Sequence, residues 1–468
     1  MVNMKKPIDE VRELVSLSES VLLNEGQMLY CLDDHVAAFS TGTLMGYEKI
    51  FTTKEARYIV SVITENELYF SYYHREILPL YNYMAASLAY KIKREEEIEN
   101  NEHYYIEDKD LDNIKKEISE RLINSSMSFN DFGSVLKHVT ELFQLNNLLI
   151  DGLVRLYNTI GADGFYALEY SLIDNEDVVI TPINGYSFYS PNVAKEFIED
   201  PFARQTVLET PYVMLYAGEY GDLLALDKLC RFYGNTGIPI LLIASSFSSQ
   251  VYQMLAYLVS NNICKVYPVR MGIDGDRMLE VMHDIAYITG AEVIYPYGTW
   301  DLARCLGRCD GVLIKDGFCS IVPEESMHHK AELRATTLRQ MAEKEVDIER
   351  KIFLNERAAK LMSRVAVVSV GGKHRLNREY QRDKFTRAFS YLQNTMKNNR
   401  VINLKTAFKS IKNMKNMSFI LDVMQDMTND KRYTSITSAY YPTNSLISLI
   451  DTLVRLMHAV HSVIVAQT

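Results

Sequence analysis

Cys305 and Cys309 stand four apart in C-L-G-R-C, and His458 and His461 stand three apart in H-A-V-H. These are side chains and intervals from which a zinc site or an acid–base pair could be built. A structural zinc needs four ligands, however, and no second pair at ligand spacing follows the cysteines, so no metal site is expected. The two histidines share a helix face, as any i,i+3 pair does, and read as core or interface packing. No Ser-His-Asp order stands out, and no paired carboxylates close the predicted strands. No G-x-G-x-x-G turn joins a predicted strand to a helix. No catalytic residue is assigned, and a small-molecule enzyme has little support.

The elements that would position any site divide the 468 residues into three zones. So long a chain exceeds one hydrophobic core, and two or three packing units are expected. Residues 8–120 are helix-rich and end in a charged, weakly apolar stretch around 91–122 that reads as a solvated helix pair. An amphipathic helix in 145–171 stops at Gly161, and a strand follows its Ala-Asp-Gly turn. The middle zone alternates strands (211–217, 238–246, 265–271, 291–296) with helices (221–237, 250–262, 276–290), a rhythm that implies a parallel or mixed sheet with covering helices. From Met327 to Val365 the chain reads as one long charged helical stretch. The strand V-A-V-V-S-V-G-G follows, then helices to the end. Helical ends around an α/β insert suggest that the two ends pack together, with the insert carried on a hinge of strands or helices.

Composition narrows the function. The chain is 47% hydrophobic and 24% charged, as ordinary globular proteins are, and its formal charge of −10 argues against a nucleic-acid binder. The first residues carry Lys5 and Lys6 with no apolar run behind them, so no signal peptide is expected. The apolar segment 445–466 contains Asp451, Arg455, His458 and His461, which makes it a buried helix rather than a membrane span. Six scattered cysteines read as reduced thiols, with a cytoplasmic location.

The stretch N-E-R-A-A-K-L-M-S-R-V-A-V-V-S-V-G-G (355–372), with Asp347, Glu349 and Arg350 before it, resembles the segment that follows the apical domain of GroEL-type (group I) chaperonins. Other stretches agree with that family in order and spacing. N-G-Y-S-F-Y-S-P (184–191) is similar to its R-G-Y-L-S-P. E-T-P-Y-V-M-L-Y-A and G-N-T-G-I-P-I-L-L-I-A (234–244) follow in sequence. M-H-D-I-A-Y-I-T-G-A-E-V-I (282–294) matches L-Q-D-I-A-x-L-T-G-G-x-V-I, and 442–460 resembles the closing helix. The resemblance implies an α+β multidomain chaperonin fold. It would have a helical equatorial domain from both termini (1–122 and 394–468), a hinge-like intermediate domain (123–177 and 324–393) and an α/β apical polypeptide-binding domain (178–323). It also implies rings of like subunits, polypeptide clients or a fixed protein partner, and ATP with magnesium as the family's cofactors.

The family's nucleotide motifs are where this sequence departs. L-L-N-E-G-Q-M-L-Y (22–30) stands where the family has Gly-Pro-Lys-Gly, and L-Y-N-Y-M-A-A-S-L-A (80–89) where it has Gly-Asp-Gly-Thr-Thr-Thr. V-I-N-L-K-T-A-F (401–408) replaces the glycine strip, and Arg387, with Asp383 four residues away, falls on the water-activating acid. Only Thr53, Lys54 and Glu55 resemble the family's T-K-D. ATP hydrolysis by the family mechanism is therefore expected to be absent.

On the apical side, the resemblance carries the polypeptide-binding role to Tyr186 and Val193 and to Tyr252, Ala256 and Tyr257, with Phe188 and Tyr189 in a lengthened turn beside them. Asp227 and Cys230 make the other wall more polar than the family's. A chaperonin-like subunit that binds non-native or partner polypeptide is the function expected. The alternative is a nucleotide-independent structural or assembly protein on the same fold, such as a virion or scaffold component. Divergence of this depth is the sort met in phage-encoded relatives, where the location would be host cytoplasm or virion.

Overall fold

The structure is a computed structural model. It describes all residues except 1–5, 25–26, 33–34, 41–50, 99–107, 171–176, 192–194, 200–204, 297–304, 316, 374, 415–416 and 466–468. The chain forms two compact units, one of residues 1–162, 169–180 and 368–468, the other of 163–168 and 181–367.

The first unit is largely helical and draws on both ends of the chain. Its N-terminal half comprises α1 (Pro7–Leu23), the hairpin β1 (Gln27–Leu32) and β2 (His35–Ser40), α2 (Lys54–Tyr73), α3 (Leu78–Ile98), α4 (Asp108–Ser125), β3 (Met127–Ser128), α5 (Phe132–Phe143) and α6 (Asn147–Ile160). Gly161 stops α6 with φ 71°, as expected. The C-terminal part adds α12 (Arg375–Asn398), β16 (Arg400–Asn403), α13 (Leu404–Ile411), α14 (Ser418–Asn429), α15 (Thr434–Ser438), β17 (Tyr440–Pro442) and α16 (Thr443–Val465). Strands β17, β16 and β3 pair in that order, tying segments far apart in the chain. The core gathers Leu14, Ile63, Phe70, Met84, Leu446 and Leu453 from both ends of the chain. No helix among the described residues is long and apolar enough to cross a membrane.

A buried carboxylate fastens the start of α2. Glu10 on α1 accepts the backbone N–H groups of Thr52 at 2.8 Å and Thr53 at 3.0 Å, and both threonine hydroxyls donate to it as well. Burial alone would raise this carboxyl. The hydrogen bonds from Thr52 and Thr53 outweigh it and bring Glu10 from 4.5 down to about 2. A lowered folded-state value stabilises the fold above the unfolded value, and that contribution is lost as pH falls from 4.5 toward about 2. Glu10→Gln is expected to cost about 2 kcal/mol at pH 7. The gap to the unsubstituted protein should close as urea titrations are repeated from pH 5 down to about pH 2. A gap that stays constant with pH would exclude the ionised carboxylate as its source.

The second unit carries the strand–helix alternation of the middle zone and also takes in residues 324–367, which the sequence reading gave to an intermediate domain. Strands β10 (Val266–Arg270), β9 (Ile240–Phe247), β8 (Tyr212–Tyr220) and β11 (Val293–Ile294) run parallel in that order, and β12 (Gly307–Arg308) pairs antiparallel to β8. Helices α7 (Leu223–Tyr233), α8 (Ser249–Ser260) and α9 (Gly275–Thr289) alternate with these strands. A four-stranded antiparallel sheet, β6 (Tyr186–Ser190), β14 (Gly317–Val322), β13 (Gly311–Lys315) and β7 (Gln205–Glu209), completes the unit with α10 (His328–Lys344) and α11 (Ile348–Leu361).

Two details differ from the sequence reading. The long charged stretch after Met327 is two helices, because the Glu345 side chain accepts the N–H groups of Val346 and Asp347, and Asp347 then caps α11. Phe188 and Tyr189 do not form a lengthened turn. They lie in β6, registered against Cys319 and Phe318 of β14.

The boundary between the units falls inside three strands, β4 (Phe165–Tyr170), β5 (Val178–Ile183) and β15 (Val365–Val370), which pair in the order β4-β15-β5. The helix-to-strand joint at 355–372 is thus α11 running into one of these connecting strands.

Candidate functional site

In the second unit, α7 and α8 pack against each other. Asp222 caps α7 by accepting the N–H of Ala225 at 2.9 Å, and Ser248 caps α8 by accepting that of Val251 at 3.4 Å. Each helix puts a regular apolar stripe into the core, Ala225, Leu226 and Leu229 on one, Val251, Leu255 and Leu258 on the other. What the pattern does not bury is also apolar. Leu224 is 75% exposed, Phe232 72% and Tyr257 58%, with Leu223 and Met254 exposed beside them on the same helices. Of the expected contact residues, Tyr252 is half-buried against Phe197 at 5.2 Å between ring centroids, and Ala256 is half-buried next to it on the helix. Asp227 pairs with Arg231 at 2.8 Å, the polar element foreseen on α7. Tyr189 is exposed on β6 and its ring lies over Gly272.

Two expected contact residues are corrected. Tyr186 and Phe188 are 1% and 2% exposed. Alternation along β6 turns both into the core while Tyr189 faces out. Val193 lies outside the described residues.

Tyr186 has a different task. Its hydroxyl donates to Asp284 Oδ2 of α9 at 3.0 Å. Arg357 of α11 grips the same carboxylate through Nε at 2.6 Å and Nη2 at 2.9 Å, and Arg334 of α10 donates to Oδ1 at 2.9 Å. Arg357 also bonds Glu280, which Arg350 meets at 2.5 Å. Asp284 and Arg357 belong to two of the sequence stretches that carry the resemblance, and the fold joins them as a buried pair.

In the first unit, the stretch 80–89 lies within α3, and its first five side chains are all buried. Tyr81 stacks on Phe70 at 4.3 Å and donates to the carbonyl of Ile63 at 2.9 Å. Tyr83 shares a 2.8 Å hydrogen bond with Tyr433, and Asn82 donates to Glu67 at 2.9 Å. Arg387 of α12 sits 3.1 Å from Asp383, which is buried. Burial raises the Asp383 carboxyl, against the opposing charges of Arg387 and Arg75. Cys305 and Cys309 are core residues of the second unit, and burial, then Asp310, push the Cys309 thiol up to about 12.

No protein-family model matches the chain. It is 28% identical over 261 residues to Chaperonin GroEL 1 of Mycobacterium ulcerans, covering 54% of this chain and 47% of that protein. It is 27% identical over 216 residues to Chaperonin GroEL 5 of Bradyrhizobium diazoefficiens, covering 45% of this chain and 40% of that one. The chain is a divergent relative of the GroEL-type chaperonins. The matches span about half the length of these curated relatives.

The resemblance implies ATP with magnesium in the helical part, and the described residues do not fit that group. A phosphate cradle needs glycine N–H groups left open at a helix start, yet here the place is filled by Tyr81 and Tyr83, both hydrogen-bonded into the core. Of the T-K-D-like residues, Thr53 and Glu55 are engaged elsewhere. Thr53 caps α2 and donates to Glu10, Glu55 pairs with Lys93, and Lys54 is exposed. Where the family has an acid, Arg387 pairs with Asp383. Two features escaped the sequence reading, the Asp284–Arg357 pair and the Glu10 clasp. Both are long-range, and only the D-I-A and E-R-x-A-K-L stretches pointed at the first.

Proposed function

We propose that this GroEL-type relative is a chaperonin-like subunit that captures exposed apolar segments of other polypeptides on the α7–α8 face, without the family's nucleotide cycle. The observation that carries the reading is the set Leu223, Leu224, Phe232, Met254 and Tyr257, exposed on two packed helices whose buried stripes are already complete. Exposed apolar side chains on adjacent helices are a common mark of a polypeptide-binding surface. Tyrosine and methionine suit one that meets varied sequences. Both relatives are named chaperonins, which favours the same task here. The proposal includes a ring of like subunits, residues 123–177 and 324–393 acting as an intermediate domain, and the connecting strands β4, β5 and β15 serving as its hinge.

The test is suppression of aggregation. Purified protein is expected to hold two unrelated denatured proteins in solution. Leu224→Ser with Phe232→Ser and Tyr257→Ser should reduce this about fivefold while leaving the melt nearly unchanged, since exposed positions contribute little to stability. Magnesium-ATP should leave the melting midpoint unmoved, whereas a ligand at a hundred times its Kd would add about 2.7 kcal/mol. Suppression that survives the triple substitution sinks the assignment of this face. The filled phosphate cradle also favours the second reading, a structural or assembly protein with one fixed partner. Absence of suppression for every denatured protein tried would select it.

A further inference from the structure

A half-open cavity of about 220 Å³ lies in the first unit, where α5, α12 and the α15–β17 segment meet the start of α3. We propose that it binds a small aromatic carboxylate, with the carboxylate on Lys384 and Arg387 and the ring against Leu80, Leu142, Phe143 and Ile436.

Size sets the first limit. A dry cavity of about 150 Å³ accepts benzene, so this one has room for one or two fused rings bearing a small polar group. Its walls mix apolar and polar surface in nearly equal measure, and Tyr380, Tyr391 and Tyr441 add ring faces with polar tips.

Charge sets the second limit. Lys384 uses one N–H of its ammonium on the carbonyl of Gln144 at 2.9 Å, and a lysine has three to give. The Arg387 guanidinium lies 5.9 Å from the Phe143 ring and pairs with Asp383 through one edge. The charged residues that line the cavity are Lys384, Arg387 and Glu76; behind them Asp383 feels the charges of Arg387 and Arg75, and His74 lies 3.9 Å from Glu76. Glu76 is already engaged, accepting from Ser390 at 2.6 Å, from Asn394 at 3.1 Å and from Ser445. Burial raises its pKa, which favours the neutral form. Even with Glu76 ionised, two cations face one acid in the cavity wall, and an anionic ligand completes the balance. A nucleotide triphosphate does not suit the site, because the neighbouring helix start that would cradle its phosphates is closed by Tyr81 and Tyr83.

The proposal does not depend on polypeptide capture, and its test separates the two. The full chain is titrated with 2-naphthoate, followed by ligand fluorescence, with naphthalene-2-carboxamide as the uncharged counterpart. Saturable binding of the carboxylate is expected, about tenfold tighter than the carboxamide, which corresponds to 1.4 kcal/mol. Lys384→Met should weaken the carboxylate about tenfold and abolish that preference, since it keeps the stem and removes the charge. Ala439→Phe should fill the cavity and end binding of both compounds. Melts of each variant report whether the fold is kept, and the comparison of the two compounds on the unsubstituted chain stands whether it is or not. Phe232→Ser, on the capture face, should leave the affinity for both naphthalene compounds unmoved. No saturable naphthoate binding, equal affinity for the carboxamide, loss on Phe232→Ser, or displacement by magnesium-ATP would each overturn the proposal.

Discussion

Replacing Arg357 with methionine should lower the unfolding midpoint of the α/β unit by about 10 °C. Asp284 is wholly buried, and its carboxylate takes two hydrogen bonds from Arg357, one from Arg334 and one from Tyr186. Removing one partner of a buried pair leaves the other charge uncompensated in a medium that solvates it poorly. That typically costs about 3–5 kcal/mol, and a unit of this size loses about 2–4 °C per kcal/mol. Arg334 remains as a second cation, but it is more exposed and reaches only one oxygen, so it softens the loss without cancelling it. Asp284→Asn in the Arg357→Met background should recover part of the midpoint, because the stranded charge goes with it. Tyr186→Phe alone should cost only about 1 kcal/mol, the value of one hydrogen bond. If Arg357→Met shifts the melt by less than about 2 °C, the pair is not what holds β6, α9, α10 and α11 together.

Much of this architecture was legible because it is written in local patterns. The continuous apolar run I-P-I-L-L-I-A gave β9, the glycine after Ile160 gave the end of α6, and alternation of strand and helix gave a parallel sheet. The limits of such reading appear at residues whose role depends on distant partners. Tyr186 and Phe188 look like surface aromatics in Y-S-F-Y-S until β14 pairs alongside and alternation decides which side faces in. Glu10 looks like one more acid on a solvated helix until Thr52 and Thr53, more than forty residues on, close around it. The break between α10 and α11 hung on two side chains, Glu345 and Asp347, within a run of strong helix formers. For the candidate site, α8 was legible as a helix, but Leu224 and Phe232 of α7 were passed over. The family comparison directed attention to Asp227 and Cys230, and only the three-dimensional stripe shows which apolar residues are left outside.

Gly185→Ala should destabilise the same unit by more than about 3 kcal/mol, even though it adds one methyl group at a residue with no side chain to lose. Gly185 has φ +80°, and a Cβ built there would lie 2.2 Å from the carbonyl oxygen of Ile321 and 2.6 Å from its carbon. Both are backbone atoms of β14, held in register by β6 and β13, so neither can withdraw without unzipping the sheet. The loop is fixed from its other side too, where the Gly185 N–H donates to Ser363 Oγ at 3.2 Å and the Asn184 carbonyl accepts from Ser320. Gly237 supplies the control. Its φ is +70°, nearly the same backbone strain, but nothing lies within 4 Å of a Cβ there. Gly237→Ala should therefore cost only the price of the left-handed conformation, about 1 kcal/mol. Urea titrations of the two variants isolate the collision as the difference between them. Equal losses would mean that the strand pairing of β6 yields easily, and a capture face carried on so yielding a sheet would have to be held in place by something other than the N-G-Y corner.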